Sequence, residues 1–316
     1  AVGVEVIDGE FPRRVALGEE LVTGPRDHDD VVIVCRVVVV VVCRVVVVSH
    51  IIVVGDIVVV VGGFIPYETP VEEFVDAAQG TGCLVYGCIE ATRYNDDRHL
   101  RGLASRWYED GAHGVYLYNF YTMSPAWNEH VFAELADHSA MARRDKIHGT
   151  DSAGPVSPVE GHSGGFRYAS PSTQLPVELQ PGFDGEGPII LVRVTDDVEA
   201  AQAAGVLAGC TLAIRLPHIG DGERLDVRLN GESVSWETAC VRAGGWTRLQ
   251  VAHLFWADYP TTPRLVEQDT TLVEFDVGAS CLRQGMNEVE IHLNAAGSGQ
   301  SVVIDGVEIT VAYKEG

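Results

Sequence analysis

Lysine is almost missing from this chain: Lys146 and Lys314 are the only two, and arginine carries the remaining positive charge. With 22 basic against 45 acidic residues, the formal net charge is −23. Nucleic acid and anionic membrane surfaces are bound by clustered cations, so neither is expected as a partner. No GxGxxG or GxxxxGKS/T follows an apolar strand, which removes the usual phosphate cradles, and no cofactor is expected. The seven cysteines, Cys35, Cys43, Cys83, Cys88, Cys210, Cys240 and Cys281, have no CxxC spacing and an odd count. They indicate neither a zinc site nor a disulfide framework and read as small buried hydrophobes. His28-Asp29-Asp30 reads as a solvated surface turn, so no metal is expected. The chain starts Ala-Val-Gly with no visible signal peptide, which leaves localisation open. A polysaccharide substrate would favour an extracellular or periplasmic setting.

What the chain has instead is valine. Residues 31–61 are mostly Val, broken by Cys35-Arg36, Cys43-Arg44, Ser49-His50 and Gly55-Asp56. A membrane helix is disfavoured, because Arg36 and Arg44 interrupt the tract before any clean run reaches ~18 residues. Two readings remain: a pair of buried, Val-rich parallel strands, or letters standing in for residues of uncertain identity. The second is preferred, since natural cores need shape variety to pack uniquely, and no chemistry is assigned to 31–61.

Beyond the tract the pattern alternates between strand and helix. Residues 57–80, 83–111 and 114–137 read as three successive β/α units. In the first, Thr69 is a fair N-cap, Pro70 fits the first helical position, and Glu72 and Glu73 favour a helix N-terminus. In the second, Gly82 to Glu90 is a strand. Arg98 to Asp110 then has helical periodicity, with Leu100, Leu103, Ala104 and Trp107 on one face and Gly111 as a stop. Asn95-Asp96-Asp97 is the turn and N-cap before it. In the third, Gly114 to Tyr121 leads into a helix over Trp127 to Asp137. Apolar strands that end on polar residues before amphipathic helices build the active face of a (β/α) barrel. A closed barrel takes eight units, and residues 1–137 supply four or five at most. The domain is therefore the C-terminal part of a (β/α)8-type barrel, incomplete here, or else an open α/β layer; the first is preferred.

Gly55-Asp56 through Gly62-Gly63, Gly87-Cys88-Ile89-Glu90 and Ala112-His113-Gly114-Val115-Tyr116-Leu117-Tyr118-Asn119-Phe120 together resemble bacterial glycoside-hydrolase-like TIM-barrel proteins. His113 stands where that family has Asp, and Tyr118 where it has Phe. The resemblance spans about residues 50–150 and implies a barrel that acts on or binds carbohydrate. Counting Asn119 as the end of an eighth strand puts Glu90 on the seventh, the nucleophile strand of many retaining barrel glycosidases.

Glycoside cleavage needs two carboxyl groups ~5–9.5 Å apart. Strand alternation that sends Cys83, Val85 and Ile89 toward helices sends Glu90 inward at the C-terminal rim, as the candidate nucleophile. Glu68 is the only other rim glutamate in view and the candidate acid. Tyr67, Arg93, Asn119, Tyr121 and Trp127 are candidate sugar contacts, the aromatic ones by stacking. Plainer roles compete: a salt-bridged or capping Glu90, a loop-bracing Asn119 and a helix-packing Trp127. A weaker alternative is an isomerase or lyase using Tyr67 or Tyr121 as acid or base.

Residues 147–171 are rich in Gly, Ser and Pro and read as a linker between a domain at 1–146 and a second at 172–316. From Leu175 onward short strands and turns alternate, including Ile189 to Thr195, Thr211 to Leu216, Leu225 to Leu229, Leu272 to Val277, Glu288 to Leu293 and Val307 to Tyr313. Asn230-Gly231 and Asp305-Gly306 are hairpin signals. The expected fold class is thus α/β plus all-β, the second part a jelly-roll-like β-sandwich. Leu229-Asn230-Gly231-Glu232 and Leu282 to Val289 resemble the galactose-binding-like sandwiches appended to glycoside hydrolases, where the Gly-x-Asn unit is architectural. Trp236, Trp246 and Trp256 read as core before ligand platform. The functional expectation is a carbohydrate-active hydrolase with a retaining two-carboxylate mechanism. The alternative is a non-catalytic glycan-binding or structural protein with a degenerate barrel.

Overall fold

The computed structural model describes residues 31–34, 38–41, 51–54, 58–62, 66–90, 96–118, 125–151, 174–182, 187–216, 219, 222–243, 247–250, 264–267, 270–295 and 300–314. The first half carries β1 (Val31–Val34), β2 (Val38–Val41), β3 (Ile51–Val54), β4 (Val58–Gly62), β5 (Leu84–Glu90) and β6 (Gly114–Tyr118). Strands β1 and β3 pair in parallel, and β2-β4-β5-β6 form an open four-stranded parallel sheet. The described parts of the valine tract are therefore strands. Helices α1 (Val71–Ala78), α2 (Asp97–Glu109) and α3 (Pro125–Leu135) follow β4, β5 and β6.

Helix α2 starts as its sequence predicts. The Asp96 side chain accepts from Arg98 N at 2.8 Å, which satisfies one of the free amides of the first turn. Leu100, Leu103, Ala104 and Trp107 are fully buried and pack with Val85 and Ile89 of β5. Gly87 makes the room, because a Cβ there would lie 2.1 Å from the Trp107 ring. Burial of each large apolar side chain is worth about 1.5–3 kcal/mol, so this face anchors the layer.

The (β/α)8-type barrel expectation, complete or partial, is overturned. The described strands form an open four-stranded parallel sheet and otherwise mainly antiparallel sheets, with no closed barrel among them. The physical reason lies on the other side of α2. In a barrel that side would face solvent; here it is covered. His99, Gly102 and Asp110 are buried, and a Cβ on Gly102 would sit 2.0 Å from the Ile147 carbonyl oxygen. The chain that leaves α3 does not add a fourth β/α unit. It crosses beneath α2 and enters an antiparallel sheet.

That sheet begins with β7 (Lys146–Asp151), which takes in residues 147–151 of the expected linker; residues 152–173 lie outside the described residues. In chain order β8 (Val177–Leu179), β9 (Ile189–Val194), β10 (Leu207–Leu216), β11 (Glu223–Leu229), β12 (Glu232–Val234) and β13 (Cys240–Ala243) follow. The remaining strands are β14 (Thr247–Gln250), β15 (Arg264–Glu267), β16 (Thr271–Val277), β17 (Gly285–Ala295), β18 (Val302–Ile304) and β19 (Gly306–Tyr313). A short helix, α4 (Val198–Ala203), is capped by the Asp197 side chain.

Two antiparallel sheets, β13-β16-β10-β19-β7 and β12-β11-β17-β9, face each other across one core. Leu212, Ile214, Phe275 and Ile309 come from the first sheet; Ile190, Val192, Leu225, Val227 and Ile291 come from the second. Strand β11 alternates strictly between buried and exposed residues, the pattern of a half-buried strand. Asn230 (φ 53°) and Gly231 (φ 86°) close the β11–β12 hairpin, the positive φ pair that an Asn-Gly turn supplies. Asn287 is fully buried and accepts from Asn230 Nδ2 at 2.8 Å and from Arg283 N at 2.9 Å, which locks this corner. Edge strands β7 and β9 lie on the side that α2 covers, so the α/β layer shields the edges of the antiparallel sheets.

Candidate functional site

Tyr67 and Glu68 lie in one 3-10 turn, Pro66–Glu68, just beyond the carboxyl end of β4. Both are committed to the seam with the antiparallel sheets. Tyr67 is 3% exposed, donates its hydroxyl to Ile147 O at 3.3 Å, and meets His99 edge to face at 6.3 Å. Glu68 accepts from the Thr150 hydroxyl and, at 3.2 Å, from both the backbone N and the side-chain amide of Gln174. The same Gln174 amide pairs with the backbone of Leu191, donating to its O at 3.0 Å and accepting from its N at 2.7 Å. A side chain thus occupies part of the free edge of β9, and Glu68 holds it there.

Glu90 is the last residue of β5 and is paired through its backbone with Tyr118, the last of β6. Arg93, Asn119 and Tyr121 lie outside the described residues, and Trp127 falls within α3. The structure therefore brings together Tyr67 and Glu68, and it does so at the seam. Trp236 packs against Phe275 at 6.2 Å, in the core. Trp246 and Trp256 lie outside the described residues.

Sequence reasoning missed the polar residues that line the seam. Asp196, just after β9, is their centre. Lys146 Nζ donates to its Oδ1 at 2.7 Å, His148 Nε2 lies 2.8 Å from its Oδ2, and the Tyr313 hydroxyl donates to Oδ1 at 2.7 Å. Burial works against the Asp196 anion, but His148 and Lys146 outweigh it and hold the carboxyl well below the ordinary range. Burial and the Asp196 charge push the Tyr313 hydroxyl well above its usual value, and burial lifts the Cys210 thiol to about 11. Lys, His, Asp and Tyr together suggest acid/base chemistry, yet Lys146 and His148 are 3% and 1% exposed. No substrate reaches them as they stand, and the cluster's present work is to close the seam.

Two further ion clusters flank it. Glu308 lies 3.3 Å from His99 Nε2 and 3.5 Å from Arg215 Nη1, while Arg215 also donates to Asp305 Oδ1 at 2.9 Å. Burial raises the Glu308 carboxyl, but His99 and Arg215 bring it below its usual value. Asp110 bonds Arg193 through Oδ1, whereas its Oδ2 has no hydrogen-bond partner and sees Arg106 only at 3.8 Å. Burial, with Glu72 adding, raises the Asp110 carboxyl above its usual value against the pull of Arg193 and Arg106.

One signal of the seam was present in the sequence: Lys146-Ile147-His148-Gly149-Thr150 places polar residues at a strand period of two. Their partners, Asp196 and Glu68, lie 48 to 82 residues away, beyond any local pattern. Among the described residues no group of three or more His, Cys, Asp or Glu is placed to hold a metal ion, and no helix is long and apolar enough to cross a membrane. No protein-family model matches the chain, and a search of curated proteins finds no relative.

Proposed function

We propose that this protein is a non-catalytic glycan-binding module, in which the α/β layer braces a pair of antiparallel sheets. The observation that carries the non-catalytic part is the state of Glu68. A general acid must exchange a proton with substrate, and this carboxylate is held by Thr150 and Gln174. The two-carboxylate mechanism thereby loses the partner proposed for Glu90. Glycan as ligand class is supported by the likeness of the Asn230-Gly231 and Gly285-Met286-Asn287 segments to carbohydrate-binding sandwiches. The architectural role of Asn287 at that corner fits the likeness. It is also supported by charge, since a strongly acidic protein favours neutral ligands over anionic ones.

An oligosaccharide array probed with the intact chain, run beside a reducing-sugar assay on a polysaccharide panel, tests the proposal. Saturable binding to at least one glycan without product release is the expected result. Product release that disappears in Glu90→Gln would overturn it in favour of retaining hydrolysis.

A further inference from the structure

We infer that Arg106 and Asp110, one turn apart at the end of α2, hold a single hydroxyl oxygen between them, supplied by water or by a bound sugar; the sugar source rests on the glycan-binding reading above. The two atoms that hold it are the Nε–H of Arg106, a donor, and Oδ2 of Asp110, an acceptor. Both are buried without a hydrogen-bond partner in the protein. They stand 3.8 Å apart, too far for a direct hydrogen bond, whereas an oxygen about 2.8–3.0 Å from each reaches both. The Asp110 side chain is 2% exposed and that of Arg106 17%, so solvent meets the site from the arginine side.

Helix stability does not explain the pair. An acid at the carboxyl end of a helix opposes the macrodipole, and a cation four residues ahead of an acid is the weaker order for an ion pair. Asp110 is nonetheless the C-cap of α2, and its backbone N–H bonds Arg106 O at 2.9 Å, which ties both residues to one turn. Arg193 of β9 bonds Oδ1 and leaves Oδ2 to Arg106. The charge of Glu72 in α1 acts on both members of the pair, and that of Glu68 acts on Arg106. A simple cation placed here meets the Nε–H and the Arg193 charge, and a simple anion meets Oδ2 and the Glu72 charge. A hydroxyl donates to Oδ2 and accepts from Nε, so it satisfies both atoms at once. Its donation also offsets the burial that raises the Asp110 carboxyl.

Crystals of the intact chain that diffract well enough to place waters test the site itself. An oxygen within about 3.2 Å of both atoms is expected in the free chain. Density without that oxygen, or a direct bond between Arg106 and Asp110, would overturn the site. The source is read by titrating the intact chain and Arg106→Lys with the methyl glycosides of glucose, galactose, mannose and xylose, beside the oligosaccharide array. Lysine keeps the charge but lacks the planar fork that carries the Nε–H. Affinity weaker by about tenfold or more, in a variant whose melting matches that of the unaltered chain, assigns the hydroxyl to the sugar. Unchanged affinity with the oxygen present assigns it to water and overturns the sugar source. If Arg106→Lys melts early, a crystal of the unaltered chain soaked in the glycoside answers instead: a sugar hydroxyl at the oxygen position supports the sugar source, and a retained water overturns it. No binding on the array or with the glycosides would overturn the glycan reading and the sugar source together, while the oxygen in the free crystal still decides the site.

Discussion

Asp196 and Asp110 are buried to a similar depth along the same seam, with side chains 5% and 2% exposed, yet their carboxyls are pushed in opposite directions. Asp196 has a lysine, a histidine and a tyrosine hydroxyl within 2.8 Å. Asp110 has one close arginine, an oxygen with no hydrogen-bond partner, and Glu72 adding negative potential. The difference teaches that burial alone does not decide a carboxylate's state; the count of donors facing it does. It also separates the two parts of the seam. The Asp196 end is made of strands β7, β9 and β19 and is fully paired, whereas the Asp110 end joins the last turn of α2 to β9 and is not.

The sharpest way to break the comparison is Asp196→Ala. Removing the shared anion leaves Lys146 and His148 buried and unpaired, so unfolding free energy should fall by about 3–5 kcal/mol. A urea titration measures it, and a loss no larger than that of Asp110→Ala would erase the distinction. Gly102→Ala comes next. The new methyl collides with the Ile147 carbonyl, and overpacking of this kind costs about 1–3 kcal/mol, more than the small gain in helix propensity from Gly to Ala. Melting temperature reads the sign directly, and a stabilised variant would show that α2 and β7 are not in contact.

The pH dependence should carry both signs. The lowered Asp196 and Glu308 contribute stability that is present above their unfolded pKa values and lost as pH falls through the folded ones. Asp110 and Glu109 are raised, so their charged forms are the strained ones. Protonating them as pH falls from neutral through their raised values adds stability before the acid loss begins. Denaturation midpoints across pH should therefore rise slightly and then drop. Asp110→Asn should flatten the rise and Asp196→Asn should remove much of the drop. The smallest effect is that of Asp110→Asn at neutral pH, less than about 1 kcal/mol, because the anion it removes is already strained while Arg193 keeps an amide oxygen to bond.

What could be read in the sequence follows the same division. Strands of the antiparallel sheets announce themselves by alternation and by turns such as Asn230-Gly231, because each has one wet face and one dry. The face of α2 that packs on β5 was legible for the same reason, through Leu100, Leu103 and Trp107. The opposite face was not, since contact with β7 is made by a glycine, a histidine and charged groups, which look like a solvated surface. Gly102 in the middle of a helix was the one local hint, as it lowers helix propensity without a local reason. A barrel was inferred from three β/α units because nothing in those units states what covers the far side of their helices. Tyr67 and Glu68 looked like rim residues for the same reason: the turn is where a rim loop would be, but its partners, Ile147, Thr150 and Gln174, come from 80 to 106 residues downstream.

Glu68→Gln tests the central claim most directly, with thermal melting and reducing-sugar release measured on the same preparation. The account predicts a lower melting temperature, because the carboxylate that holds Thr150 and Gln174 across the seam is gone, and no product release before or after the change. Measurable hydrolysis by the unaltered chain, abolished in Glu68→Gln with an unchanged melting temperature, would contradict it and return Glu68 to the role of a catalytic acid.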